Sequence, residues 1–352
     1  MKLINTISIL FFLFIAVACS SETDPIMNDL DNKNEAITST ETVAAFNISL
    51  TGQNIQTRGE EVEKEEGRNN EDKVSNCFIA AVSNEGSEKG KVLCSFTSED
   101  LRNNPDIKML VKVSDSYKPA LKFIAVVNCK IEFDELLKCK TLSEIEAVTL
   151  VEDPNDVHSE HNKELAKVGT YEVQAADYEV TEEGVTKIKN IEIPVFQRAA
   201  AIELTSLKVD GEFVCVKSLT LSNIKGSTLV KGEKTTDITY LSTTINNINK
   251  SSIAPLSTDC LYAYENTGEQ KTTMKIVYSK YEDNGKGGKT PGSVEYERSY
   301  TIKTGAKEEV IAGKLYKLDV TISSASGDKV KFTVADWKFN SVNLGDVQGS
   351  TN

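Results

Sequence analysis

Residues 42–58 read TVAAFNISLTGQNIQTR, and the reading of the chain starts from how that stretch alternates. Ala44, Phe46, Ile48 and Leu50 share one parity, while Ala45, Asn47, Ser49 and Thr51 share the other. Successive side chains of a strand point to opposite faces, so the pattern describes a strand half-buried over an apolar core. Residues 58–73 then read RGEEVEKEEGRNNEDK and offer almost nothing to a core. A segment of that composition cannot bury enough apolar surface to offset its ordering entropy, and is expected to be a solvated tether. A core strand joined to its domain only by such a tether can be detached by one cut. Exposed polar connections are where proteases act, which makes the Arg58–Gly59 bond the candidate site and Arg68 a second one. Taken alone, the stretch also fits an ordinary first strand followed by a surface arginine. The rest of the chain has to decide.

Upstream, residues 1–18 have the make-up of an export signal. Lys2 gives a positive start, and Ile9 to Ala18 (ILFFLFIAVA) is an apolar run too short to span a bilayer comfortably. Ala16, Val17 and Ala18 stand directly before Cys19. Small residues before a cysteine are what a bacterial lipoprotein peptidase requires, so Cys19 is the expected diacylglycerol attachment point. Acyl chains at Cys19 would hold the precursor to a membrane, each buried methylene contributing about 0.8 kcal/mol. Ser20 to Thr40 is polar and acidic, a linker from lipid to first strand.

A chain of 352 residues is long enough for two domains. Its net charge of −13 argues against nucleic acid and against anionic lipid surfaces, both of which need clustered Lys and Arg. Beyond the tether, short strands follow one another. Ser75–Ser83, Lys91–Phe96, Leu121–Asn128 (LKFIAVVN) and Ile188–Phe196 (IKNIEIPVF) are expected strands, with Pro194 suggesting an edge position. Thr97–Asp100 and Thr141–Glu144 each resemble the N-terminal box of a short helix. A second run comprises Ala201–Val209, Glu212–Leu221, Asp259–Glu265, Thr272–Tyr281, Ser293–Thr301, Leu315–Ile322 and Lys329–Val334. Regular strands without long helices between them predict an all-β antiparallel sandwich architecture, with a domain boundary near Gln197.

Candidate chemistry is sparse. Gly288-Lys289-Thr290 resembles the end of a phosphate-binding loop, but Asp283 stands where that loop needs glycine, and a strand follows in place of a helix. The glycines of NGKGGKTP fit a hairpin turn instead. His158 and His161 lie three apart in a polar stretch without a third or fourth ligand nearby. They are the only histidines, which leaves little for a Ser-His-Asp or Cys-His site. No catalytic, cofactor or metal site is expected, and a sugar-cleaving carboxylate pair has no support beyond the abundance of Asp and Glu. After Cys19 come Cys77, Cys94, Cys129, Cys139, Cys215 and Cys260. An exported chain can oxidise them in pairs, while the alternation of EFVCVKSL equally suits Cys215 as a small core residue.

The order of these pieces resembles a known family. Lipobox, FxIxL strand, arginine in an acidic tether, LKFIAVVN, TLSEIE, IPVFQRAAAIEL, LYAYENTGE, KLYKLDVTI and FTVADW are similar, across Cys19 to Trp337, to the fimbrillins of Bacteroidetes, the Mfa-like group of type V fimbriae included. The resemblance implies two tandem transthyretin-like, Greek-key β-sandwich domains, here 59–197 and 198–352, behind a lipid-anchored propeptide of residues 19–58. It implies export as a lipoprotein through Cys19 and cleavage between Arg58 and Gly59 by an arginine-specific protease. Loss of Ala44, Phe46, Ile48 and Leu50 would leave a gap costing roughly 6–12 kcal/mol, which a strand from another fimbrial subunit refills. In the family that donor comes from the C-terminal end, here Trp337 and Phe339 on one face and Val342 and Leu344 on the other. Such head-to-tail contact does not close and yields a filament at the cell surface. Six cysteines in the mature chain are more than a shaft subunit is expected to carry, which keeps a tip or accessory adhesin, or a glycan-binding surface lipoprotein, as the alternative reading.

Overall fold

In the computed structural model, the described residues are 42–52, 74–101, 107–113, 118–151, 165–180, 188–251, 260–323, 325 and 327–336. The amino-terminal half runs β1 (Thr42–Gly52), β2 (Cys77–Ser83), β3 (Val92–Ser98), β4 (Ile107–Val113) and β5 (Leu121–Val127). Two short helices follow, α1 (Phe133–Leu136) and α2 (Leu142–Ala147), then β6 (Thr149–Leu150), β7 (Lys167–Val173) and β8 (Ile188–Gln197). The carboxy-terminal half is β9 (Ala199–Val209), β10 (Glu212–Phe213), β11 (Cys215–Lys225), β12 (Thr228–Leu229), β13 (Tyr240–Ile245), β14 (Lys250–Ser251) and β15 (Leu261–Tyr264). It closes with β16 (Thr273–Asp283), β17 (Lys289–Thr301), β18 (Lys314–Ile322) and β19 (Lys329–Asp336).

The first half is one hydrogen-bonded sheet in the order β3-β2-β5-β7-β8-β1-β4. Only three residue pairs, Lys167↔Gln197 to Gly169↔Val195, join β7 to β8. At that corner the sheet folds over, so that β8-β1-β4 faces β3-β2-β5-β7. Phe46 on β1 and Phe123 on β5 are not on neighbouring strands, yet their rings meet at 4.9 Å across the core. Gly169 makes the corner possible. A Cβ there would stand 2.1 Å from the backbone oxygen of Pro194. Gly169→Ala must therefore prise β7 from β8, and overpacking of this kind costs about 1–3 kcal/mol. Urea denaturation is expected to show that loss, and a variant as stable as the wild type would mean the corner has slack.

β2 is buried on both faces, because α1 and α2 cover the side turned away from the sandwich core. Phe78, Ile124 and Val126 meet Phe133, Leu136 and Ile145 there. Double burial, shared by β5, is why residues 123–127 (FIAVV) read as an unbroken apolar run. The Thr141 box forms as expected: the Glu144 amide donates to Thr141 Oγ1 at 3.2 Å, and the Thr141 amide donates to Glu144 Oε2 at 3.1 Å. Thr97–Asp100 does not start a helix. Thr97 and Ser98 are the last residues of β3, paired with Phe78 and Cys77, and the ladder to a fully buried strand outweighs a cap.

The second half holds its own core between two sheets, β10-β9-β18-β19 with β15 beside β9, and β13-β11-β16-β17 with β14 beside β11. Ile202, Leu204, Leu318 and Val320 from one sheet pack against Leu219, Leu221, Met274 and Ile276 from the other. Pairing is antiparallel throughout except at β1–β8 and β9–β18, which are parallel. The two halves also touch beyond the chain connection. β12 pairs with β6, and Val230 is fully buried beside Val148 in the core under the helices. No disulfide joins any two of the six described cysteines, and four of them are buried. Burial pushes the Cys77 thiol up to about 12 and the Cys94 thiol up to about 11.

Pro194 corrects one expectation. β8 is not an edge strand, since β1 lies on one side and β7 on the other. Proline is tolerated because β7 pairs with β8 only from Val195 onward, leaving no ladder to break on that side.

Candidate assembly groove

β1 is the central strand of its layer, and among the described residues no other strand joins β8 to β4. Its antiparallel register with β4 runs from Thr42↔Val113 to Ile48↔Ile107, and its parallel register with β8 from Ala45↔Ile188 to Gly52↔Val195. The inward face is sealed. Ala44, Phe46, Ile48 and Leu50 are each no more than 3% exposed. Phe46 is the anchor: its ring lies edge-on to Phe123 at 4.9 Å and to Tyr178 at 5.5 Å. Such edge-to-face contacts add about 0.5–1.5 kcal/mol beyond area burial. The Tyr178 hydroxyl donates to the Pro119 backbone oxygen at 2.5 Å, which fixes that ring as part of the floor. Ile107, Met109, Val111, Ile191 and Ile193 complete the walls.

The outward face is polar. Asn47 Nδ2 donates to Asn190 Oδ1 at 3.2 Å, and Ser49 Oγ donates to the Ile191 carbonyl at 3.4 Å. Ala45 is the exception to the alternation, buried on the outer face between its register partners Leu110 and Ile188, both large and half-exposed.

If β1 were removed, the site it leaves would have the form of a socket. Without β1, β8 and β4 would each present a row of unpaired amide and carbonyl groups, with an apolar trench between them sized for alternating side chains. Only a strand parallel to β8 and antiparallel to β4 restores both ladders, which fixes the direction of any occupant.

The structure brings together the expected inward set and adds residues the sequence reading left out. β4 (IKMLVKV) and β7 (KVGTYEV) had not been expected as strands, and β4 is half of the socket. Its buried–exposed alternation could have signalled it. The expected lipidation and processing residues Cys19, Arg58, Gly59 and Arg68 lie outside the described residues, as do His158 and His161. Trp337, Phe339, Val342 and Leu344 also lie outside them; β19 ends at Asp336, immediately before that stretch. Among the described residues, no group of three or more His, Cys, Asp or Glu is placed to hold a metal ion.

No protein-family model matches the chain, and no curated protein matches it by sequence. Solved structures do. The chain is similar to the fimbrilin FimA of Porphyromonas gingivalis, at 12% identity and TM-score 0.53, over 86% of this chain and 99% of that one. It is similar to the tip fimbrial protein Mfa3 of the same organism, solved with a C-terminal truncation, at 12% identity and TM-score 0.54, over 83% and 100%. A fimbrial assembly protein of Parabacteroides distasonis shares 14% identity and TM-score 0.50 over 84% and 97%. The fold is thus the one found in fimbrial proteins of Bacteroidetes.

Proposed function

We propose that this chain is a structural subunit of a surface fimbria, exported as a lipoprotein through Cys19, cut after Arg58 and polymerised by strand exchange at the β1 socket. The observation that carries the proposal is the placement of β1. A strand followed in sequence by a charged tether is the central strand of its layer, with an aromatic anchor in the core. Strand addition at an exposed sheet edge draws affinity from main-chain hydrogen bonds and specificity from pockets for alternate side chains, and the socket supplies both. The donor is the stretch after Ala335, with Trp337, Phe339, Val342 and Leu344 as the candidate side chains of a neighbouring subunit. On this reading residues 59–197 and 198–352 are the two domains of the mature subunit, which leaves the outer membrane for the fimbria once cut, and no enzymatic activity is assigned to it. The fold shared with fimbrial proteins supports the placement on the cell surface.

The likeness to a tip protein is as high as that to a fimbrilin, which supports a second reading as a tip or accessory adhesin. One experiment tests both. The purified precursor is treated with an arginine-specific protease and the product sequenced from its N-terminus. Gly59 as first residue, together with detergent-resistant ladders, is the expected result, and Arg58→Ala should abolish both. A correctly cut product that stays monomeric would exclude the shaft role and leave the tip reading. A product still holding β1 would overturn the exchange mechanism.

A further inference from the structure

Outside the socket, the corner at which β7 parts from β8 leaves a surface groove. Asn47, Ser49 and Thr51 of β1, Asn190 and Glu192 of β8, and Tyr171 of β7 line it. The geometry points to a binding site for a neutral saccharide in this groove.

The hydrogen-bonding groups decide the ligand class. The Asn47–Asn190 bond uses one amino group and one carbonyl oxygen, leaving the Asn190 amino group as donor and the Asn47 carbonyl as acceptor. The Thr51 and Tyr171 hydroxyls and the Glu192 carboxylate have no protein partner among the described residues. Sugar hydroxyls both donate and accept, and this mixed array of donors and acceptors complements them. Two paired strands hold the floor in place, so little ordering remains for binding to supply. Tyr171, 36% exposed, and Pro194 offer flat apolar surfaces for the C–H face of a pyranose ring. The lining contains one carboxylate and no cation, and the chain carries a net charge of −13, which together disfavour sialylated, sulfated or phosphorylated ligands.

Three of the groove residues belong to β1. A strand that replaced it would bring its own outward side chains, so the site belongs to the uncut chain; this last step rests on the exchange reading above.

The test titrates the uncut full-length protein, by calorimetry and by changes in tyrosine fluorescence, with neutral pentasaccharides of mannose, glucose and galactose and with sialyllactose. At least one neutral sugar is expected to bind. Tyr171→Ala and Asn190→Ala should each weaken it about tenfold, in line with loss of a stacking surface or a hydrogen bond. Val294→Ala, on β17, should leave binding unchanged, and all three variants should unfold at the wild-type midpoint. Absence of binding to every neutral sugar, preference for sialyllactose, binding of peptides alone, or wild-type affinity in both groove variants would overturn the site. Protease-treated protein shown by N-terminal sequencing to lack β1 should lose the sugar. If the protease product keeps β1 while the uncut chain binds, the exchange reading fails and the saccharide site stands.

Discussion

Phe46→Ala in the uncut chain is expected to lower the unfolding free energy by about 3–5 kcal/mol, the usual cost of emptying a buried phenylalanine site. Phe46 is 1% exposed and touches rings from two other segments, so the cavity has rigid walls and collapses poorly. Leu110→Ala on β4, where the side chain is 57% exposed, should change stability by less than about 0.5 kcal/mol. Urea titration of the pair gives the comparison. A Phe46→Ala loss below about 1 kcal/mol would show that β1 only lies on the core and does not hold it. The same variant also reports on exchange. On the strand-exchange reading proposed above, a cut and assembled subunit no longer contains Phe46, so polymers grown from the variant and from the wild type should dissociate at the same denaturant concentration. A difference between them would mean that β1 remains in the assembled subunit.

What made β1 legible was its clean two-residue period, which needs only local sequence. β4 escaped although Ile107, Met109, Val111 and Val113 keep that same period, because Leu110 interrupts the polar side of the alternation between Lys108 and Lys112. β7 escaped because Gly169 interrupts it, and the need for glycine lies in the approach of Pro194, which is distant in sequence. The parallel pairing of β1 with β8 joins Ala45 to Ile188, and no local pattern encodes a partner that far along the chain. Thr97 shows the opposite failure. A sequence that would cap a helix in isolation was claimed by the ladder to β2. The inward half of the socket was therefore readable from one strand, while its walls required the fold. The outer groove was not readable at all, because it exists only where three strands from separate stretches meet.

The second core contains a buried ion pair whose removal should be as costly as that of Phe46. The Lys225 ammonium, on a side chain 1% exposed, bonds Glu233 and also donates to the Lys234 carbonyl at 2.8 Å. Glu233 accepts further from the Thr267 amide at 2.8 Å and from its hydroxyl at 2.6 Å. Burial acts to raise the Glu233 pKa, but the hydrogen bonds from Lys225 and Thr267 outweigh it and hold the carboxyl below its ordinary value. A depressed folded-state value means stability that is present above the unfolded carboxylate pKa of 4.5 and is lost as pH falls through the folded value. Glu233→Ala leaves the ammonium buried without its counter-charge, and breaking a buried pair in this way costs about 3–5 kcal/mol. The variant should also show a shallower fall in stability between pH 5 and pH 3 than the wild type, because one of the groups titrating there is gone. Lys225→Met combined with Glu233→Leu should recover most of the loss, since apolar replacements of similar volume remove the desolvation cost together with the attraction. Urea midpoints for the three proteins across that pH range decide the matter. If Glu233→Ala proves neutral at pH 7, or if the double variant is no more stable than the single one, then the pair is a bystander in this core and packing alone secures Lys225 against the β12 turn.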